Sequence, residues 1–286
     1  MTTTVIPYTY GAVTSADGTT IGYRRFGGDG PGLIVVSGGY LAAQHYTELA
    51  DALSRTFTVY VPDRRGRGRS GPPGETYDMA RECEDVEALL AETGAHLVFG
   101  HSSGGLIALQ AAKTLPGVRK VAVYEPALSM YGAFSMSWIP RFERELDRGE
   151  LAAAMVTFSK GTRASRKVAA LPRWLLVPMI DRLLRRRAAS VGPDEQSLTE
   201  LIPLQRLDVQ IFQEMAAGDG YAELRAEVLM VEGDRTPPPV HKALDALQRA
   251  LPHARRVTLR GVGHEAPLNH RGGPERVAEV LRSFFA

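Results

Sequence analysis

The sequence predicts an α/β fold, a mostly parallel sheet with helices on both faces. An antiparallel hairpin opens it and a helical insertion interrupts it once. Three observations predict this. Short apolar runs rich in Val, Ile and Leu recur along the chain and alternate with segments of helical period. The runs are continuous rather than alternating, which suits strands covered on both faces. The alternation then stops between about residues 128 and 221, where the pattern is helical throughout.

The elements follow in order. Residues 8–13 and 19–26 flank Asp17-Gly18, a hairpin signal. The runs "GLIVVSGG" (32–39), "FTVYVPD" (57–63), "HLVFG" (96–100), "VRKVAVYEP" (118–126), "EVLMVEGD" (227–234) and "RRVTLR" (255–260) read as further strands. Helical periodicity covers residues 42–53, 78–92, 106–115, 240–251 and 274–285. The interruption contains "WIPRFERELDRGELAAAMVTF", "LPRWLLVPMIDRLLRRRAA" and "LTELIPLQRLDVQIFQEMA", all helical in pattern. Strands resume at Glu227. We therefore expect an α/β core made of residues 1–127 and 222–286, with a helical cap of residues 128–221 inserted into it.

Bulk properties narrow the function classes. The 286 residues carry a formal net charge of only +2, so no whole-molecule field draws the protein to nucleic acid or to a membrane surface. A lone cysteine, Cys83, allows no intrachain disulfide and suits a reducing compartment. The N-terminus lacks a basic segment followed by an apolar one, and no apolar run is long enough to span a bilayer. A soluble cytoplasmic protein is the expectation. Gly27, Gly28, Gly30 and Gly32 lie between strands, with no helix opening there to hold a phosphate, so no dinucleotide site is expected. No His/Cys/Asp cluster has metal-ligand spacing. The expectation is no cofactor and no metal.

The chemistry centres on Gly100-His101-Ser102-Ser103-Gly104, which fits G-x-S-x-G. The pattern alone is weak, but its setting is specific: the strand "HLVF" enters it and the helix "GLIALQAA" leaves it. A serine at the tip of so tight a turn needs small neighbours on both sides.

Two further stretches complete the pattern. "DRRGRGRS" (Asp63–Ser70) is similar to the D-x-R-G-x-G-x-S loop that follows the fourth strand in the α/β-hydrolase superfamily. "GVGHEAP" (Gly261–Pro267) looks like that superfamily's histidine loop. With the elbow, these motifs make the chain resemble the superfamily nearly end to end. The resemblance implies the α/β-hydrolase fold: eight strands, with a helical cap inserted after the sixth.

It also implies roles. Ser102 is the expected nucleophile. A serine hydroxyl needs a base, and His264 in the glycine-rich loop is the candidate. Two carboxylates compete to orient that base. Asp234 follows the seventh strand, where the family usually keeps its acid, but the family's spacing places Thr236 in the acid's seat. Glu125 stands at the tip of the sixth strand, where some lipases of the superfamily take their acid, and is favoured. For the oxyanion, backbone N–H donors are expected from Ser103 and from Gly39, with Tyr40 the second choice. A serine at the elbow argues against the dehalogenases and epoxide hydrolases of this superfamily, which carry aspartate there.

The insertion is rich in Met and aromatic residues, including Met130, Phe134, Trp138, Phe142, Met155, Phe158 and Trp174, and suits an adaptable apolar pocket. We expect Tyr40, His101, Trp138, Phe142, Met155 and Trp174 to line it, His101 from beside the serine although the elbow turns it away from the tip. The insertion is also basic. Arg163, Arg166, Lys167, Arg173, Arg182, Arg185, Arg186 and Arg187 fall close together. A solvated helix face is the plainer reading, and a docking patch for an anionic carrier protein is the alternative. The expected activity is hydrolysis of a small-to-medium apolar ester through an acyl-enzyme. A thioesterase acting on a CoA- or carrier-bound acyl group is one rival. A non-hydrolytic binding or biosynthetic member of the fold is the other.

Overall fold

Alternate residues of each central strand face opposite ways, and this sequence makes both sets apolar. In the computed structural model of the chain, Ile34, Val36, Val98, Val121 and Val123 enter one buried cluster, while Leu33, Val35, Leu97, Phe99 and Ala122 enter another. Burial on both faces is what the continuous apolar runs require. The structure describes residues 6–128, 135–163, 170–188, 192, 195–216, 220–269 and 272–286. Met130, Phe134, Arg166 and Lys167 lie outside the described residues.

The strands are β1 (Thr9–Thr14), β2 (Thr20–Phe26), β3 (Gly32–Val36), β4 (Thr58–Pro62), β5 (Leu97–His101), β6 (Lys120–Tyr124), β7 (Glu227–Gly233) and β8 (Arg255–Leu259). They form one eight-stranded sheet in the order β1-β2-β4-β3-β5-β6-β7-β8. β2 alone runs against the direction of the other strands. The crossover between β3 and β5 is where connections leave toward opposite sides, the usual place for a ligand in an open α/β sheet.

A single 3₁₀ turn (Ala43–Tyr46) leads into α1 (Thr47–Ser54), and α1 packs with α9 (Gly273–Phe285) on one face of the sheet. The other face is covered by α2 (Met79–Thr93), α3 (Ser103–Thr114) and α8 (Pro238–Ala250). The sequence places the start of α3 at Leu106. The structure starts it at Ser103, because the elbow delivers the chain into the helix without a linker and Ser102 is the residue before its first turn.

Between β6 and β7 the described residues hold α4 (Ile139–Asp147), α5 (Leu151–Gly161), α6 (Arg173–Ala188) and α7 (Leu198–Ala216), and no strand. These helices bury a cluster of their own, with Phe142, Ala154, Leu184, Ile202 and Val209 at its centre. No described helix is long and apolar enough to cross a membrane.

Candidate active site

Register places the chemistry in one row. Val36 pairs with Gly100, His101 with Tyr124, and Tyr124 with Val231, so the residues that follow β3, β5 and β6 emerge side by side. Ser102 N–H donates to the Tyr124 carbonyl at 3.0 Å, and Glu125 N–H donates to the Val231 carbonyl at 3.0 Å. The ladder thus runs one residue beyond each strand and carries Ser102 and Glu125 at its edge.

Ser102 sits at φ 57°, ψ −120°, a left-handed backbone that a side-chain-bearing residue rarely adopts. The turn is held by close approach. A Cβ at Gly100 would strike the Gly104 carbonyl, and a Cβ at Gly104 would strike that of Val36. Those contacts explain why both flanking positions are glycine.

His264 Nδ1 meets Glu125 Oε2 at 2.8 Å. Glu125 is 1% exposed, and its other oxygen accepts from Gly233 N–H at 2.8 Å and from the Thr236 hydroxyl. Thr236 occupies the place the sequence spacing reserves for an acid, and there it holds the acid that comes from β6. The structure sets Asp234 apart from His264: it is exposed, and its Oδ1 accepts from Gly261 N–H at 2.7 Å, bracing the turn before the histidine loop.

Ser102, Glu125 and His264 border one cavity of about 290 Å³. Gly39 and Ser103 also border it. Gly38 N–H is taken by the Tyr46 hydroxyl at 3.0 Å, which leaves the next N–H of that loop, Gly39's, for the cavity. Ser103 N–H opens α3, where no preceding turn supplies a carbonyl.

The pocket expectations need sorting. Tyr40, Trp138 and Met155 line the cavity, joined by Phe158, Val209 and Phe212. Two expected residues do not. Phe142 is fully buried among Trp138 and Phe158, inside the helical cluster rather than at the wall. Trp174 stands on the outer side of α6 and is 77% exposed. His101 touches the wall, but its ring is committed elsewhere. Its Nδ1 accepts from the Tyr46 hydroxyl at 2.8 Å, and its Nε2 donates to the His264 carbonyl at 2.9 Å. Burial, with His264 beside it, holds its pKa well below the usual imidazole range, so the ring is neutral. His101 is a strut between the histidine loop and Tyr46, whose hydroxyl in turn holds Gly38 N–H.

A buried ion cluster was not legible in the sequence. Arg64 donates to Glu82 at 2.7 Å and to Asp208 at 2.6 Å. Arg67 donates to Asp208 at 2.5 Å and to the carbonyls of Gly38 and Leu41 at 3.0 and 3.1 Å. Asp208 also accepts from the Ser103 hydroxyl at 2.5 Å. Burial works against its charge, yet the two guanidiniums hold its pKa below the usual carboxylate range. The sequence did carry one signal. Gln205 and Asp208 fall at helical spacing among Leu201, Val209 and Phe212, on the face that α7 buries.

The family model described as the alpha/beta hydrolase family matches residues 33–280. A pimeloyl-[acyl-carrier protein] methyl ester esterase from Xanthomonas campestris pv. campestris is 28% identical over 270 residues, 91% of this chain and 96% of that protein. An N-formylmaleamate deformylase from Pseudomonas putida is 34% identical over 123 residues, which span 42% of this chain and 46% of that protein. The crystal structure of an alpha/beta hydrolase from Sphaerobacter thermophilus has a TM-score of 0.77 at 26% identity, covering 96% of this chain and all of that one. The family match leaves outside it only the opening hairpin and the two ends of the chain, and the chain belongs to the alpha/beta hydrolase family.

Proposed function

We propose that the protein hydrolyses a carboxylic ester through an acyl-enzyme on Ser102. The observation that carries this reading is the 2.8 Å contact of His264 Nδ1 with the buried Glu125 carboxylate, bordering the same cavity as the elbow serine. Ser102 Oγ attacks the ester carbonyl while His264 Nε2 takes its proton. Glu125 fixes the ring and offsets the charge the imidazole gains. The carbonyl oxygen becomes an oxyanion held by the N–H groups of Gly39 and Ser103. His264 then protonates the departing alcohol. Water, deprotonated by the same histidine, releases the acid. Residues 128–221 act as a cap over the core, and the apolar walls from Trp138, Met155 and Phe158 hold an apolar part of the substrate. A cytoplasmic location accords with Cys83, a buried free thiol that burial pushes up to about 12.

Ser102→Ala tests the reading directly. Turnover of a short p-nitrophenyl ester should fall by at least about a thousandfold. Turnover equal to wild type would reject the assignment.

A second reading is an ester or thioester borne by a carrier protein. It is favoured by the name of the Xanthomonas campestris relative and by the surface of α6. There Trp174 and Met179 are exposed beside Arg182, Arg185 and Arg186.

A further inference from the structure

The helix α6 is apolar on both of its faces. Inward, Leu176 and Leu184 are buried, and Val177 and Ile180 pack against the helical cluster. Outward, Leu171, Leu175, Met179 and Leu183 recur at every fourth position, from just before the helix into its second half, with Trp174 beside Leu175. These five side chains are 39–77% exposed. The other large apolar side chain exposed among the described residues is Tyr10, on β1. A helix apolar all round is ordinarily covered all round. Single exposed apolar side chains are common, but five along one ridge mark a contact surface.

The charges on that face say what covers it. Arg182, Arg185 and Arg186 are exposed on its C-terminal half, and Asp181 meets them through Arg185. Arg173, at the opposite end, is tied to Glu145 at 2.6 Å. The outer face thus offers apolar groups first and guanidiniums after them. An anionic layer over an apolar interior fits that order: the apolar end enters, and the arginines stop at the charged layer. Indole and guanidinium groups both suit such a boundary. A second copy of the chain fits less well, since it brings three arginines from each side to one contact against one Asp181 each. An acidic protein would need a groove matched to a ridge of protruding side chains. A lipid surface needs none.

We propose that the outer face of α6 binds the surface of a bilayer rich in anionic lipid. The net charge of +2 supplies no long-range pull, so the attachment is short-ranged and reversible. It also bears on the site. The helix α5 packs against α6 and supplies Met155 and Phe158 to the cavity wall, so one helix joins the docked face to the cavity. The attachment does not depend on ester hydrolysis at Ser102.

The test is cosedimentation with sucrose-loaded vesicles, of phosphatidylcholine alone or mixed equally with phosphatidylglycerol, at one fixed salt concentration. Wild type should bind the anionic vesicles about tenfold or more tightly than the neutral ones. Its tryptophan emission should move to shorter wavelength on binding. In Trp174→Phe that shift should vanish, because Trp138, the other tryptophan, is already buried. Trp174→Ser combined with Met179→Ser should weaken binding to anionic vesicles by about tenfold or more. Arg182→Glu, Arg185→Glu and Arg186→Glu together should remove the preference for anionic lipid. All five positions are exposed, so turnover of a short soluble ester should match wild type in both sets. Ser102→Ala should bind vesicles as wild type does, whatever the ester assay returns. No binding, equal binding to the two vesicles, or an affinity unchanged in either set overturns the proposal. A complex with an acidic carrier protein in gel filtration, without vesicle binding, hands the face to a protein partner and overturns it too. So does a concentration-dependent dimer that the Trp174→Ser, Met179→Ser variant dissolves.

Discussion

At the scale of single residues, the histidine's partner is the sharpest distinction in the site. Glu125 reaches His264 Nδ1 at 2.8 Å, while Asp234 is occupied with Gly261 N–H. Glu125→Gln should therefore lower kcat on a short ester by about two to four orders of magnitude, since the amide no longer stabilises a charged imidazole. Asp234→Asn should cost only a few-fold, through a looser turn. Matched circular dichroism spectra would confirm that both variants fold. A crippled Asp234→Asn beside a healthy Glu125→Gln would transfer the role to the aspartate. Ser102 and His264 stand out in the sequence because each lies in a short local motif tied to a strand end. Glu125 is weaker, because its partnership joins β6 to a loop 139 residues away. Thr236 shows why spacing alone misleads: the position reserved for an acid holds a hydroxyl that steadies the acid from the neighbouring strand. Phe142 and Trp174 were indistinguishable from wall residues by composition. Which side of a helix faces the cavity is set by packing, and residue type does not report it.

At the scale of elements, α7 is joined to the core through Asp208. Its carboxylate binds Arg64 and Arg67, which come from the loop after β4, and the Ser103 hydroxyl at the first turn of α3. Arg67 also holds the carbonyls of Gly38 and Leu41, so one cluster fixes both α7 and the loop after β3. Removing one member of a buried charge pair leaves the others uncompensated, at about 3–5 kcal/mol. Asp208→Asn should show a loss of that order in urea unfolding. A variant as stable as wild type would mean that the cluster contributes no net stability. The pH dependence has a definite sign. The folded pKa of Asp208 lies below its unfolded value, so its stabilisation is present above the ordinary carboxylate pKa, roughly pH 4. It is lost as pH falls through the lower folded value. Wild type should lose stability steeply in that acid window, and Asp208→Asn should lack that part of the slope. The sheet was legible element by element because apolar runs and turn residues are local signals. The cluster was not, because Arg64 and Asp208 are 144 residues apart and each reads alone as a surface charge.

At the scale of the whole molecule, the choice between a free ester and a carrier-borne one is a question about fields. The net charge is only +2, so long-range steering of an acidic partner cannot come from the protein as a whole. The local field to test is that of α6, where Arg182, Arg185 and Arg186 are exposed. Arg185 already meets Asp181 one turn away, which reduces what that helix offers a partner. Exposed charges interact within about 10 Å at 0.1 M salt and less at higher salt, so a docking contribution would show as a fall in rate with ionic strength. We expect a small neutral ester and an acyl-carrier thioester to share one weak salt dependence. Reversing Arg182, Arg185 and Arg186 to glutamate should leave the ratio of the two rates unchanged. The ester serves as the internal control, because general damage to the helices would lower both rates together. A steep fall confined to the carrier substrate, reproduced at low salt by the charge reversal, would displace the free-ester reading and make α6 the docking surface of a carrier-dependent enzyme.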